Sequence, residues 1–107
     1  MRRITLPGAA ALLALALALP AAAAEVKVTV GHSRIDPARV KIAVGDTVVF
    51  HNVDEMPGGH TVAARDGSFS SPPLAKGEAW SHTFDKAGTY PIGIEQHPDA
   101  VGEIVVE

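Results

Sequence analysis

The sequence contains no cysteine. In an exported chain that rules out disulfides, and it equally rules out a thiolate metal ligand or a thiol nucleophile. The one long apolar stretch runs from Gly8 to Leu19 and breaks at Pro20, whereas a membrane anchor needs about 20 apolar residues. No stable membrane anchor is expected. No segment keeps a helical hydrophobic period over a useful length. There is no phosphate-binding glycine loop and no paired-carboxylate site. Ser68-Phe69-Ser70-Ser71 offers hydroxyls with no base marked for them, so a hydrolase is a poor reading and no catalytic residue is assigned. The protein is read as not an enzyme. Acids outnumber bases, 12 to 9, for a net charge of −3 at pH 7. That balance does not suit nucleic acid.

What is there begins with Met1-Arg2-Arg3, then the apolar stretch, then Ala22-Ala23-Ala24. A basic start, an apolar middle and a small-residue end predict a signal peptide over residues 1–24, with a single domain over residues 25–107. The destination is the periplasm or the cell exterior, and the Sec and twin-arginine routes both stay open. Loss of Arg2 and Arg3 makes the remaining domain more acidic still.

Over that domain short alternating segments are separated by turn residues. Val26, Val28 and Val30 alternate with Lys27 and Thr29. Val40, Ile42 and Val44 alternate with Lys41 and Ala43. After Gly45-Asp46, Val48 and Phe50 share a face in Thr47 to Asn52. Asn52 to Gly59, with Asp54-Glu55 as turn formers, and Arg65 to Pro73 read as loops. Trp80, His82 and Phe84 share a face. Tyr90, Ile92 and Ile94 share another, and Gly102 opens a last strand from Glu103 to Glu107. Pro91 cannot donate to a ladder, so it should fall at an unpaired position or a bulge. The spacing signals an all-β sandwich or barrel.

Five segments carry a family resemblance. They are Ile35-Asp36-Pro37 with Val44-Gly45-Asp46-Thr47-Val48-Val49-Phe50 and Asn52; Met56-Pro57-Gly58-Gly59-His60-Thr61-Val62; Trp80-Ser81-His82-Thr83-Phe84; Ala87-Gly88-Thr89-Tyr90; and His97-Pro98. In this order they resemble the small cupredoxins of the plastocyanin and amicyanin kind. The resemblance implies a cupredoxin-like Greek-key β-sandwich of about seven or eight strands. It also implies that His60 and His97 match the two histidine ligands of a copper site. Ile94 stands where the family has its cysteine, and Ala100 where it usually has methionine. A blue copper centre needs the thiolate, so a type 1 site is not expected here.

Two imidazoles can hold Cu(I) near-linearly, or Cu(II) with water or an oxygen ligand added. Zn²⁺ would ask for more protein ligands. Glu95, Asp99 and Met56 are near in sequence and are candidates for a third ligand; Glu95 has outward parity and Met56 suits loop packing. His82 on an inward face reads as a neutral imidazole hydrogen-bonded to backbone, with an interior ligand as the sharper alternative. His51 precedes Asn52 and is a further candidate. His32, in the first loop, reads as solvated. The expectation is an exported, monomeric copper-binding protein with a non-blue site at His60 and His97, for copper carriage, buffering or resistance. Its partners would be the copper ion and a periplasmic redox or copper-handling protein. The alternatives are an electron carrier of the blue copper type and a metal-free interaction module on the same scaffold.

Overall fold

In a computed structural model of the chain, residues 23–55 and 57–107 are described. The leader expected over residues 1–24 therefore lies almost wholly outside the described residues, as does Met56. No helix among the described residues is long and apolar enough to cross a membrane.

Eight strands form two four-stranded sheets. The strands are β1 (Glu25–Gly31), β2 (Arg34–Asp36), β3 (Arg39–Ile42), β4 (Thr47–Asn52), β5 (Val62–Ala64), β6 (Ala79–Thr83), β7 (Gly88–Ile94) and β8 (His97–Val106). One sheet has the order β2-β1-β4-β6 and the other β3-β8-β7-β5. The first strand pairs in parallel with β4, and β3 pairs in parallel with β8, while the remaining neighbours are antiparallel. This is a two-sheet all-β sandwich, one of the two architectures open to the alternating pattern and the one the family resemblance implies.

The alternation sorts side chains as a half-buried strand must, every second residue inward. Val28, Val30, Val48 and Phe50 from one sheet face Ile92, Ile94, Ile104 and Val106 from the other, and all are buried. Each such side chain contributes about 1.5–3 kcal/mol relative to an exposed one. With no disulfide possible, this layer must hold the two sheets together. Phe69, in the loop after β5, is buried against Phe50 and Phe84, with ring centroids 6.4 and 5.5 Å away.

Three local expectations change. Val44 belongs to a turn and is 49% exposed, because β3 ends at Ile42. The last strand starts at His97, not at Gly102. Gly102 lies inside β8, where an added Cβ would meet the Ala38 carbonyl at 3.1 Å and Ile92 at 3.2 Å. Close packing, not strand opening, is what asks for glycine there. Pro91 sits in the interior of β7 opposite Glu103. Its carbonyl accepts from Arg65 N at 2.8 Å, just past the end of β5. Pro91 has no N–H to return to Arg65, so that pair makes one bond where a regular ladder makes two, and β5 stops at Ala64.

His82 is half-buried between rings. Its centroid lies 4.4 Å from Phe69, nearly parallel, and 4.8 Å from Phe84, edge-on. Stacking holds it in place of the expected backbone hydrogen bond. Desolvation by burial lowers its pKa, and the charge of Asp85 opposes that shift. A depressed folded-state value means that the folded protein binds fewer protons than the unfolded chain. The stability linked to His82 is then present above the unfolded value and lost as pH falls through the folded one. The melting temperature should fall between about pH 7.5 and pH 5 more steeply in the parent than in His82→Leu. Equal slopes would contradict this assignment.

Candidate metal centre

Three connections converge at one end of the sandwich. The β1–β2 hairpin turns at His32 and Ser33, since Gly31 pairs with Arg34. Ser33 takes a left-handed φ of 54°, uncommon for a residue other than glycine. The β4–β5 loop carries Asp54 and His60. The β7–β8 hairpin presents His97 as the first residue of β8, directly opposite Ile94.

Asn52, fully buried at the end of β4, organises the second of these connections. Its side-chain amide donates to the Leu74 carbonyl at 2.7 Å, and its Oδ1 accepts from Asp54 N at 3.0 Å. His60 is bridged to Leu74 by two backbone hydrogen bonds of 2.9 Å. One side chain thus ties the segment bearing Asp54 to the segment bearing His60. Gly59 makes the approach possible. Its φ is +73°, and a Cβ there would meet Pro73 at 3.1 Å. The hairpin tip is fixed to the same segment. Gln96 Oε1 accepts from Thr61 N at 2.7 Å, and Glu95 N donates to Thr61 O at 2.9 Å.

The side chains meet around one carboxylate oxygen. Asp54 Oδ2 lies 2.9 Å from His60 Nε2 and 3.3 Å from His32 Nδ1. An ionised carboxylate only accepts, so the His60 proton sits on Nε2, and the neutral imidazole then has its lone pair on Nδ1. Nδ1 of His60 is buried and has no hydrogen-bond partner among the described residues. A buried acceptor left unmade costs about 1–3 kcal/mol. A carboxylate holding one imidazole nitrogen while the other is left for an ion is the usual support of a metal-binding histidine. By that criterion His60 fits a metal.

His97 is half-buried. Its ring centroid is 4.8 Å from that of His60 and 4.4 Å from that of His32, and Nδ1 lies 3.4 Å from Ser33 Oγ. Two imidazoles bound to one ion at a tetrahedral angle place their centroids about 5 Å apart, whereas a linear pair needs about 6 Å. The His60–His97 spacing suits the bent arrangement and not the near-linear one considered from sequence. Ile94 and Ala100 are buried, at 2% and 1% exposure, and bring no donor atom. The expected loop between them is reshaped. The pairing steps from Gly93–Val101 to Ile94–His97, so Pro98, Asp99 and Ala100 bulge from β8.

The other candidates are dispersed. Glu95 and Asp99 are exposed on the hairpin tip and the bulge. His51 lies on the outer face of its sheet, in a shallow depression with Glu25, Lys27, Val49 and Ala79. His82 is in the aromatic cluster described above. His32 is the correction in the other direction. It is exposed, as expected, but it is not isolated, since its ring packs on His97 and contacts Asp54. Asp54, a turn residue by its local sequence, is likewise drawn into the site. No local signal marks His32, because its place beside His97 depends on two segments about as far apart as Ser33 and His97, which are 64 residues apart in sequence.

The family model described as a cupredoxin-like domain matches residues 4–106. The amicyanin of Paracoccus denitrificans is 35% identical over 96 residues, which cover 82% of this chain and 73% of that protein. An oxidised amicyanin variant with a methionine replaced by leucine superposes with a TM-score of 0.69 at 31% identity, covering 86% of this chain and 89% of that one. A purple cupredoxin from Nitrosopumilus maritimus gives a TM-score of 0.68 at 27% identity, covering 77% of this chain and 99% of that one.

Proposed function

The chain belongs to the cupredoxin-like domain family, and from that premise we propose that it is an exported copper-binding protein with a non-blue site centred on His60 and His97. The observation that carries this reading is the buried, unpartnered Nδ1 of His60 behind an Nε2 held by Asp54. The role that fits is carriage, buffering or resistance by reversible ligation in the periplasm or outside the cell. Bound copper would supply a cation that two neutral imidazoles can share, and the chain's own residues do the rest. Asp54 fixes the His60 proton on Nε2. The 4.8 Å spacing of the two ring centroids is compatible with both imidazoles binding one ion. Ile94 and Ala100 are buried and add no ligand atom.

The amicyanin likeness favours a second reading, an electron carrier that passes electrons to a redox partner. That reading has to work without a thiolate, since Ile94 cannot ligate. A copper–thiolate band cannot arise without cysteine, so an optical spectrum of the copper-loaded protein distinguishes a blue centre from the site proposed.

The test is a copper titration of the purified protein beside His97→Ala and His60→Ala. Each variant should bind copper at least tenfold more weakly, about 1.4 kcal/mol. Unchanged affinity in both would mean that the two histidines are not the ligands.

A further inference from the structure

We infer that His32 and Asp54 complete, together with His97, a nitrogen–oxygen site for a divalent cation set against the His60–His97 pair. This inference deepens the copper-binding reading above and rests on it.

One ligand atom from each of His32, Asp54 and His97 can be chosen so that all three lie within 4.8 Å of one another. The His32 Nδ1–Asp54 Oδ2 separation is 3.3 Å. Tetrahedral ligands bound at about 2.0–2.2 Å are about 3.3–3.6 Å apart. That pair is already at the spacing of two ligands on one ion, and a closure of about 1 Å brings His97 to it. The three groups come from three separate connections, and each is held independently. The Ser33 turn sets His32. The Asn52 side chain sets Asp54, by way of its backbone N–H. The two-residue hairpin tip, tied through Gln96 to Thr61, sets His97.

The donor chemistry selects the ion. The family's site, as the resemblance gives it, has a soft sulfur where this chain has Ile94. Two imidazoles and one carboxylate, with no sulfur, suit Cu(II) or Zn(II) over Cu(I). The carboxylate also offsets part of a divalent charge. The side chain of Asp54 is 9% exposed and that of His32 is 59% exposed, so the ion would arrive from solvent past His32. Asp54 then has two tasks, since the same Oδ2 stands 2.9 Å from His60 Nε2. A bare surface ion pair between His32 and Asp54 would explain their contact. It would contribute little and would give no reason for the imidazole of His97 to pack on that of His32 beside the same carboxylate.

The experiment titrates the purified protein with Zn(II) by calorimetry, with Cu(II) by EPR, and with Cu(I) by chelator competition. The same titrations are run on His32→Ala and Asp54→Asn. The amide oxygen introduced by Asp54→Asn can still accept from His60 Nε2, so that variant removes the charge and leaves only a weaker, neutral oxygen donor while keeping the hydrogen bond. His32 is exposed, and its truncation leaves the core intact. Both variants should lose at least tenfold in Zn(II) and Cu(II) affinity, and His32→Ala should hold Cu(I) affinity within about twofold. Suppose instead that the parent binds copper through His60 and His97, and that neither His32→Ala nor Asp54→Asn changes divalent affinity. Then this inference falls and the copper reading stands. Binding of Cu(I) alone has the same meaning. Failure of the parent to bind any of the three ions overturns both.

Discussion

Replacing Ile94 with cysteine should give the copper-loaded protein an intense visible charge-transfer band that the parent lacks. Ile94 stands directly across the β7–β8 pair from His97. Residues facing each other in this way present their side chains on the same side of the sheet, with Cβ atoms about 4.5–5.5 Å apart. A thiol at position 94 would therefore sit beside one of the two imidazoles proposed to hold copper. The copper–thiolate bond, absent at present, is what gives a blue centre its colour. The exchange leaves a small void where a buried side chain was, at a cost of about 1–2 kcal/mol. That loss is modest beside the change in spectrum. Adding Ala100→Met is a harsher step, because Ala100 is 1% exposed and a larger side chain there must displace neighbours. The single variant is therefore the cleaner experiment. Copper binding by Ile94→Cys without a new band would mean that the three-residue bulge after His97 has moved position 94 out of reach of the ion.

Asn52→Ala should have the largest effect on stability at the site. It should lower folding stability by about 2–4 kcal/mol and weaken copper binding with it. Asn52 is fully buried, and its side chain makes two hydrogen bonds with different segments. Its backbone also accepts from Gly77 N at 2.7 Å and donates to Glu78 O at 2.9 Å, which fixes the turn into β6. Alanine would keep the backbone bonds and leave Asp54 N without its acceptor. Asp54 would then lose the contact that aims its carboxylate, and His60 would lose a fixed proton on Nε2. A variant that melts normally and binds copper normally would show that Asp54 is positioned by other means. Asn52 stands out in the sequence only as part of the family resemblance. Its role as the link between two loops depends on Leu74, 22 residues away.

The strands are legible in the sequence because their signal is local. Val26, Val28 and Val30, and then Val48 and Phe50, alternate with polar residues whichever partners they find, and that alternation fixes which face is buried. His60 and His97 are legible only through the family resemblance, since nothing in their flanks marks them as neighbours. The centre itself is less legible. Asp54 follows Asn52 in a run of turn formers, and a turn is the local reading. His32 lies in a two-residue hairpin turn that the sequence does not distinguish from any solvated loop. Its contact with His97 arises when β1 pairs with β4 and the two sheets stack. The start of β8 escapes the sequence for a related reason. Pro98, Asp99 and Gly102 resemble loop residues, yet the first two lie on a bulge and Gly102 meets a close packing contact.

The most direct measurement is a copper titration of the purified parent protein, with Cu(II) followed by EPR and optical absorption and Cu(I) by competition with a chelator. A one-to-one complex with a nitrogen-rich, non-blue signal is the predicted result. No binding of copper in either oxidation state would contradict the proposal, and would mean that the scaffold has kept its histidines without the metal.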